Sequence, residues 1–534
     1  MDYQLTVPAI LRRAETFFGK KEIVSCLPDR AIHRYNYQEF AIRVKKLATA
    51  LYRLGIREGD RVATLCWNHS QHLESYFAIP CMGAVIHPLN LRFGPEDLGY
   101  IVNEAEDKIL IVDQVLLPVF EKFKASIKIS GVIVIPQLYE PVPKEYINYE
   151  DLVNTGDTAL FEPFAGDENS AAFMCYTSGT TGKPKGVLYS HRSILLHTMS
   201  SLLSATGIGI TEQDTVLSIV PMFHAGAWGY PYNCTMVGAT QVFPGPAMDA
   251  DNLLHLLESE KVTLTGAVPT VIQGILHKLN EDPGKYKLAL RTIMIGGSAM
   301  PRFLIKDFDE RYGIKVLHTW GMTEISPLGV TSVLTSTLAK ASKEEQYDHA
   351  VKQGRPIPLV EIRGRNESGL IPWDGKTMGE LEVRGPWVAS SYYRDNDAKA
   401  KFTTDGWLKT GDIATINEDG FIEIKDRSKD LIKSGGEWIS SVALESSLMC
   451  HPSVLEAAVI GIPDTKWIER PHAFLVLKEG KTVSPEELGE FLKGKFPNFW
   501  LPDGYSFIAA IPKTSVGKFQ KTALREKYSR GPGR

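Results

Sequence analysis

Through the middle of the chain the apolar positions switch repeatedly between two patterns. Residues 262–270, VTLTGAVPT, are apolar and β-branched without interruption, whereas 270–279, TVIQGILHKL, space their apolar residues three and four apart. The first pattern predicts a buried strand and the second an amphipathic helix. Residues 291–300, RTIMIGGSAM, read as strand again. Residues 301–313, PRFLIKDFDERYG, read as a helix with Pro301 at its start and Gly313 just past its end, the positions those residues favour. Residues 315–324, KVLHTWGMTE, read as strand followed by loop. This alternation predicts an α/β fold of parallel sheets covered by helices, with ligands gathered where buried strands run out into glycine-rich loops.

Towards the C-terminus the pattern changes. Three strand-like runs, 454–463, 472–480 and 505–513, surround one predicted helix at 484–496, where Ser484 is the candidate N-cap and Glu487 completes a capping box. This predicts a small α+β module. The charged stretch 425–430, KDRSKD, is the expected boundary, giving domains 1–428 and 429–534. The length of 534 residues agrees with at least two domains, since one hydrophobic core stops growing at roughly 250–300 residues.

Composition narrows the function classes. Apolar residues make up 43% and charged residues 23%, enough for large cores in an ordinary globular protein. A net charge of -4 argues against general nucleic-acid binding. The cysteines, Cys26, Cys66, Cys81, Cys175, Cys234 and Cys450, form no C-x-x-C pair, and their spacing suggests neither a disulfide framework nor a zinc site. The first residues lack a secretory pattern, SRGPGR at the other end is no peroxisomal address, and no apolar run reaches the ~18 residues of a membrane helix. The expectation is a cytoplasmic chain with no stable membrane span.

The sharpest motif is YTSGTTGKPKGV at 176–187. Thr177, Ser178, Thr180 and Thr181 offer hydroxyls for phosphate oxygens or Mg²⁺. Gly179, Gly182 and Gly186 let backbone N–H groups approach an anion, and Lys183 and Lys185 add positive charge. The spacing is not that of a Walker A loop. A second motif, TWGMTE at 319–324, offers the flat face of Trp320 to a base, the Thr323 hydroxyl to phosphate and the Glu324 carboxylate to Mg²⁺.

The phosphate loop resembles the signature loop of the adenylate-forming superfamily, which comprises acyl-CoA synthetases, luciferases and peptide-synthetase adenylation domains. The resemblance runs from about residue 30 to about residue 525, and within the superfamily it is nearest to medium- and long-chain fatty acyl-CoA synthetases. It implies a large N-terminal domain of helix-covered sheets with a small mobile α+β C-terminal domain. It also implies a reaction in two halves. A carboxylate attacks the α-phosphate of ATP, giving acyl-adenylate and pyrophosphate; the thiol of coenzyme A then displaces AMP.

The resemblance assigns residues as follows. Thr177 to Gly182, Lys185, Gly297, Ser298 and the run His318, Thr319, Trp320, Gly321, Met322 and Thr323 border the nucleotide, with Thr177 and Glu324 as Mg²⁺ ligands. The family usually carries Tyr where Trp320 stands, so a phenol hydrogen bond is lost there. GGSA at 296–299 and TGD at 410–412, weak motifs alone, become the turn that lines the adenine and acyl sites, with Gly297 on both, and the ribose-binding Asp412. In 426–438, Arg427 contacts ribose or phosphate, Lys429 is the hinge, Lys433 and Trp438 lie near the nucleotide, and Gly435 and Gly436 border the pantetheine channel. Lys518, in PKTSVGKF, is the catalytic lysine that stabilises charge on the carboxylate and α-phosphate.

The aromatic stretch 220–232, VPMFHAGAWGYPY, would read as core on composition alone. The resemblance instead places His224 on the thiol and carboxylate path and Trp228 at the gate of an alkyl tunnel. Apolar walls hold an acid at about 0.8 kcal/mol per buried CH₂, which supports an apolar acid without setting its length. The expected substrates are therefore ATP, coenzyme A and a fatty or similarly apolar acid. A short thioether or branched acid such as methylmercaptopropionate, or an acceptor other than coenzyme A, is the alternative. Two motifs of the small domain claim one place, so rotation about Lys429 is expected to exchange Lys518 for the Gly435–Gly436 face. Homodimer contacts, where the family has them, point to residues 1–30.

Overall fold

The computed structural model describes residues 3–138, 140–177, 183–395, 397–434, 437–513 and 519–529. Among the described residues the strands form four sheets. In the first, Thr215–Leu217, Leu264–Ala267, Thr292–Gly296 and Lys315–Gly321 lie side by side and parallel. Every residue of Thr292–Gly296 is buried, the signature of a parallel strand covered on both faces. The helices Pro269–Glu281 and Arg302–Tyr312 cover it with Ile272, Ile275, Leu276, Leu304 and Phe308, packed in one cluster with Ile293 and Ile295. The predicted alternation is realised, with small shifts. Pro301 is the N-cap rather than the first helical residue, and Gly313 caps the helix end at φ 65°.

The second sheet is parallel from Ile147–Asn148 to Ala171–Tyr176 and ends in an antiparallel pairing of Ala171–Tyr176 with Gly186–Ser190. The phosphate loop connects those two strands. The third sheet, from Glu361–Asn366 to Ile422–Arg427, is antiparallel throughout. The helix-covered parallel pattern does not extend to it. Its strand Leu408–Ile416 alternates buried and half-buried positions over its first six residues, and its inner face packs with Trp320, Leu328 and Val330. This packing delivers Asp412 and Arg427, on adjacent strands, to the ends of the first sheet.

The fourth sheet is built on the long hairpin Val454–Asp464 and Ile468–Leu477, joined by Ile432–Ser434 and, in parallel, Gly504–Phe507. The capping box is present: Glu487 N–H donates to Ser484 Oγ at 3.2 Å and Ser484 N–H to Glu487 Oε2 at 2.8 Å. Among the described residues three helices accompany this sheet instead of the single one expected: Ser441–Met449, Pro485–Leu492 and Lys521–Ser529. The run 505–513 gives a strand only to Phe507. All six cysteines are free thiols, and Cys450 alone is exposed. No helix among the described residues is long and apolar enough to cross a membrane.

Candidate active site

Two cavities, each of about 250 Å³, meet at the C-terminal ends of the parallel strands. Gly297, Thr319, Trp320, Gly321 and Arg427 line both. The first extends to Thr177, Lys185, His224, Trp228, Met322, Thr323 and Glu324. The second takes in Ser298, His318 and Asp412, then Glu445, Met449, Phe519 and Lys521 from the C-terminal part of the chain.

Asp412 is the fixed point of the site. It is 2% exposed. Trp320 Nε1–H donates to its Oδ2 at 2.9 Å, and Arg427 Nε lies 2.7 Å from its Oδ1. The carboxylate is therefore oriented from two sides, with its remaining lone pairs open to further donors. The strand Lys315–Gly321 shifts register against its neighbour between Trp320 and Gly321. Gly321 must be glycine, since a Cβ there would sit 1.9 Å from the Pro327 oxygen. Beside it, His318 is buried, with Nδ1 2.7 Å from the Val351 oxygen and Nε2 3.3 Å from that of Ser298. Burial holds its pKa below the ordinary histidine value, so the ring is neutral at pH 7.

Glu324 supplies a nearly buried carboxylate, 7% exposed, on the first cavity. The Tyr392 hydroxyl donates to its Oε1. The same phenol lies under Lys185, whose ammonium is 5.4 Å from the ring centre and 2.6 Å from Asp395. Thr177 anchors the base of the phosphate loop through its N–H to the Lys185 oxygen at 2.9 Å. Tyr392 belongs to no motif recognised in the sequence; only its place next to Glu324 reveals it.

The aromatic stretch contains a strained turn. Ala225, Gly226, Ala227, Trp228 and Gly229 have φ of 41°, 58°, 48°, 56° and 85°. Three of the five are not glycine, and each such residue costs roughly 1–2 kcal/mol in the left-handed region. The turn carries His224 and Trp228 onto the first cavity. Gly296 faces the indole: a Cβ there would lie 2.6 Å from Thr319 Oγ1 and 3.2 Å from Trp228 Cη2. Gly296, Thr319 and Trp228 thus share one wall of the first cavity.

This arrangement matches a known family. The family model described as AMP-binding enzyme matches residues 11–393. The chain belongs to that family. The model for the AMP-binding enzyme C-terminal domain matches residues 443–518. A long-chain-fatty-acid–CoA ligase of Thermus thermophilus is 47% identical over 99% of this chain and 96% of its own length. A 3-methylmercaptopropionyl-CoA ligase of Ruegeria lacuscaerulensis is 42% identical over 99% and 98%. Among solved structures, the anthranilate CoA ligase AuaEII in complex with anthranoyl-AMP superposes with a TM-score of 0.87 at 26% identity, over 99% of both chains.

Other expected residues of this AMP-binding enzyme do not line the two cavities or lie outside the described residues. Lys433 and Trp438 are partners on adjacent short strands, with the ammonium 4.8 Å from the indole centre. Neither is among the described residues lining the two cavities. Lys429 falls between the third and fourth sheets. Ser178, Gly179, Thr180, Thr181, Gly182, Gly435, Gly436 and Lys518 lie outside the described residues. Missed in the sequence were Tyr392, Glu445 and Lys521. The last two sit in a helix that was not foreseen and in one that opens directly after the lysine motif.

Proposed function

We propose that this AMP-binding enzyme is an ATP-dependent acid–coenzyme A ligase for fatty or similarly apolar acids, acting through an acyl-adenylate. One observation carries the reading. The first cavity is lined by Arg427, which pairs with Asp412, by Thr177 and Glu324, and by the indole of Trp228. One cavity thus gathers a ribose partner, phosphate and Mg²⁺ donors and an apolar wall, the groups an acyl-adenylate needs. The names of the Thermus and Ruegeria relatives agree with a ligase that uses coenzyme A.

In the first half-reaction a carboxylate oxygen attacks the α-phosphorus and pyrophosphate leaves. In the second, the coenzyme A sulfur attacks the acyl carbon and AMP leaves with the former carboxylate oxygen. Asp412 accepts the ribose hydroxyls, Arg427 holds it in place, and Trp320 both walls the base and orients Asp412. His224 faces the reacting carboxyl group. Lys518 supplies the positive charge of the first half-reaction, a contribution of about 10²–10³ in rate for a group of this kind. The oxygens of Thr177 and Glu324 are hard donors on one cavity, so they fit Mg²⁺. Bound there, Mg²⁺ would neutralise charge on the phosphate oxygens. The small domain begins at residue 429, in the interval between the strands Ile422–Arg427 and Ile432–Ser434, and turns about Lys429. A cytoplasmic location and pairing through residues 1–30 belong to the same proposal.

A second reading is favoured by the 42% identity to a 3-methylmercaptopropionyl-CoA ligase. The bulk of Trp320 and Trp228 at one cavity suits a short thioether acid. AMP release from ATP and Mg²⁺ with acids from propionate to palmitate, and with a thioether acid, separates the two. AMP release that requires coenzyme A and peaks with one acid is the expected result. Pyrophosphate exchange with no coenzyme A-dependent turnover would overturn the choice of acceptor.

A further inference from the structure

The strand Ile422–Arg427 and the helix Ser441–Met449 are joined by a buried contact that the proposed chemistry does not use. Asp426 is 1% exposed. Its Oδ2 accepts the backbone N–H of Ser441 at 2.7 Å and also the Ser441 hydroxyl. Its Oδ1 accepts the N–H of Arg427 at 2.8 Å. One residue earlier on each side, the Ser440 hydroxyl donates to the Lys425 oxygen. Ser440 is the N-cap of the helix and Ser441 its first residue. A carboxylate from before residue 429 therefore sits on the N-terminus of a helix that follows it, where negative charge is favoured.

The contact continues inward. Lys521 Nζ donates to Ser441 Oγ, completing a relay from ammonium through hydroxyl to the Asp426 carboxylate. The same Nζ lies 2.7 Å from Glu445 Oε1, which accepts the N–H of Val459 at 2.7 Å. Lys521 opens the helix Lys521–Ser529 three residues after Lys518, and Arg525 on the next turn lies 2.8 Å from Asp430. Phe519, the neighbour of Lys518, lines the second cavity together with Gly297, Trp320 and Asp412. In the orientation of this structure, the relay thus holds the end of the lysine motif against the nucleotide side of the site.

The cluster sets Asp426 and Glu445, with Asp430 beside them, against Lys521, Arg525 and Arg427. A turn of the small domain that separates Ser441 from Asp426 strips a buried carboxylate of two of its donors. Orientations that keep the contact and orientations that lose it therefore differ by a charged hydrogen bond in a dry place.

We propose that Asp426 is a positioning residue for the reaction: through Ser441 and Lys521 it holds the small domain in the adenylating orientation and so sets the balance between the two half-reactions. The inference rests on the ligase reading, and its test separates the two. Adenylation is read as acid-dependent exchange of pyrophosphate into ATP without coenzyme A. Thioester formation is read by supplying chemically made acyl-adenylate with coenzyme A. Asp426→Asn should lower the exchange by about 10-fold or more, the population change expected when a hydrogen bond to a charged group is lost. Its thioester rate should hold or rise. Ser441→Ala keeps the backbone contact and removes only the relay; it should shift the same ratio in the same direction by less. Equal loss of both half-reactions, or an unchanged ratio in a folded Ser441→Ala protein, would overturn the proposal. Absence of exchange by the unsubstituted protein with every acid would instead overturn the ligase reading.

Discussion

Trp320 and Asp412, 92 residues apart in the chain, are joined by one hydrogen bond of 2.9 Å from the indole Nε1–H to Oδ2. The loss of a phenol hydroxyl at position 320 therefore does not leave the site short of a donor. The indole supplies one, and it aims the carboxylate that the account assigns to ribose. The bond makes Trp320 more than a stacking surface.

Trp320→Phe keeps a flat face and removes this donor. A hydrogen bond to a charged group is worth about 1.5–3 kcal/mol, so kcat/KM for ATP should fall by about 10-fold or more. The KM for the acid should change little. Steady-state kinetics with each substrate varied in turn checks this, and an effect confined to the acid would contradict it.

Gly296 lies between Thr319 and the Trp228 indole, where the proposed nucleotide and acyl subsites would adjoin. In Gly296→Ala the new Cβ meets Thr319 Oγ1 at 2.6 Å and Trp228 Cη2 at 3.2 Å. Thr319 Oγ1 is tied to the Ile295 oxygen at 3.2 Å, so the indole is the group with freedom to move. The expected outcome is a rise in the KM for the acid that grows with its chain length, read by titrating a series of acids at saturating ATP.

Three buried histidines predict the acid limb of stability. Burial depresses His72 to about 3 and His191 and His197 to about 4, from an ordinary 6.5. Neutral rings are needed in place: Leu328 N–H donates to His197 Nε2 at 3.3 Å and Val7 N–H to His191 Nδ1 at 3.2 Å. A lowered folded value gives stability that is complete above the unfolded value and is lost as pH falls through the folded one. Each histidine should then remove up to about 1.4 kcal/mol per pH unit between about 6.5 and its folded value. Urea unfolding at about pH 7, 5.5 and 4.5 should show this as a falling midpoint.

Glu445 predicts the opposite slope within the small domain. Burial, reinforced by Asp426, raises its carboxyl to about 7 against the pull of Lys521. A raised folded value gives stability that is complete below the unfolded value of 4.5 and is lost as pH rises through about 7. Amide exchange of the helix Ser441–Met449 is the readout. Relative to Glu445→Gln, the unsubstituted protein should lose protection across that window and level off above it; parallel profiles would contradict the assignment.

How much of this was legible in the sequence depended on distance along the chain. The parallel sheet and its helices were readable because each element states its own period. Glu324, Thr177 and Asp412 were readable because they sit in short motifs. The bond from Trp320 to Asp412, the phenol of Tyr392 under Lys185 and the relay from Lys521 to Asp426 are products of packing between elements far apart, and no local pattern announces them. The turn from Ala225 to Gly229 was read as an aromatic stretch; its left-handed backbone leaves a trace only in the small residues between His224 and Tyr230. The helix Ser441–Met449 was missed because two faces of it are apolar or small, which blurs its period. Lys433 and Trp438, which the resemblance sets near the nucleotide, pair with one another on adjacent strands, a contact no local pattern shows.

The central claim, an acyl-adenylate on the way to a thioester, is tested most directly with a carboxylic acid labelled with ¹⁸O in its carboxyl group. The enzyme, ATP, Mg²⁺, coenzyme A and that acid are incubated, and the AMP is analysed by mass spectrometry. The account predicts one labelled oxygen in each AMP, because the oxygen that attacks phosphorus stays on it when the thiol attacks carbon. Unlabelled AMP, or label found in pyrophosphate or inorganic phosphate, would contradict it.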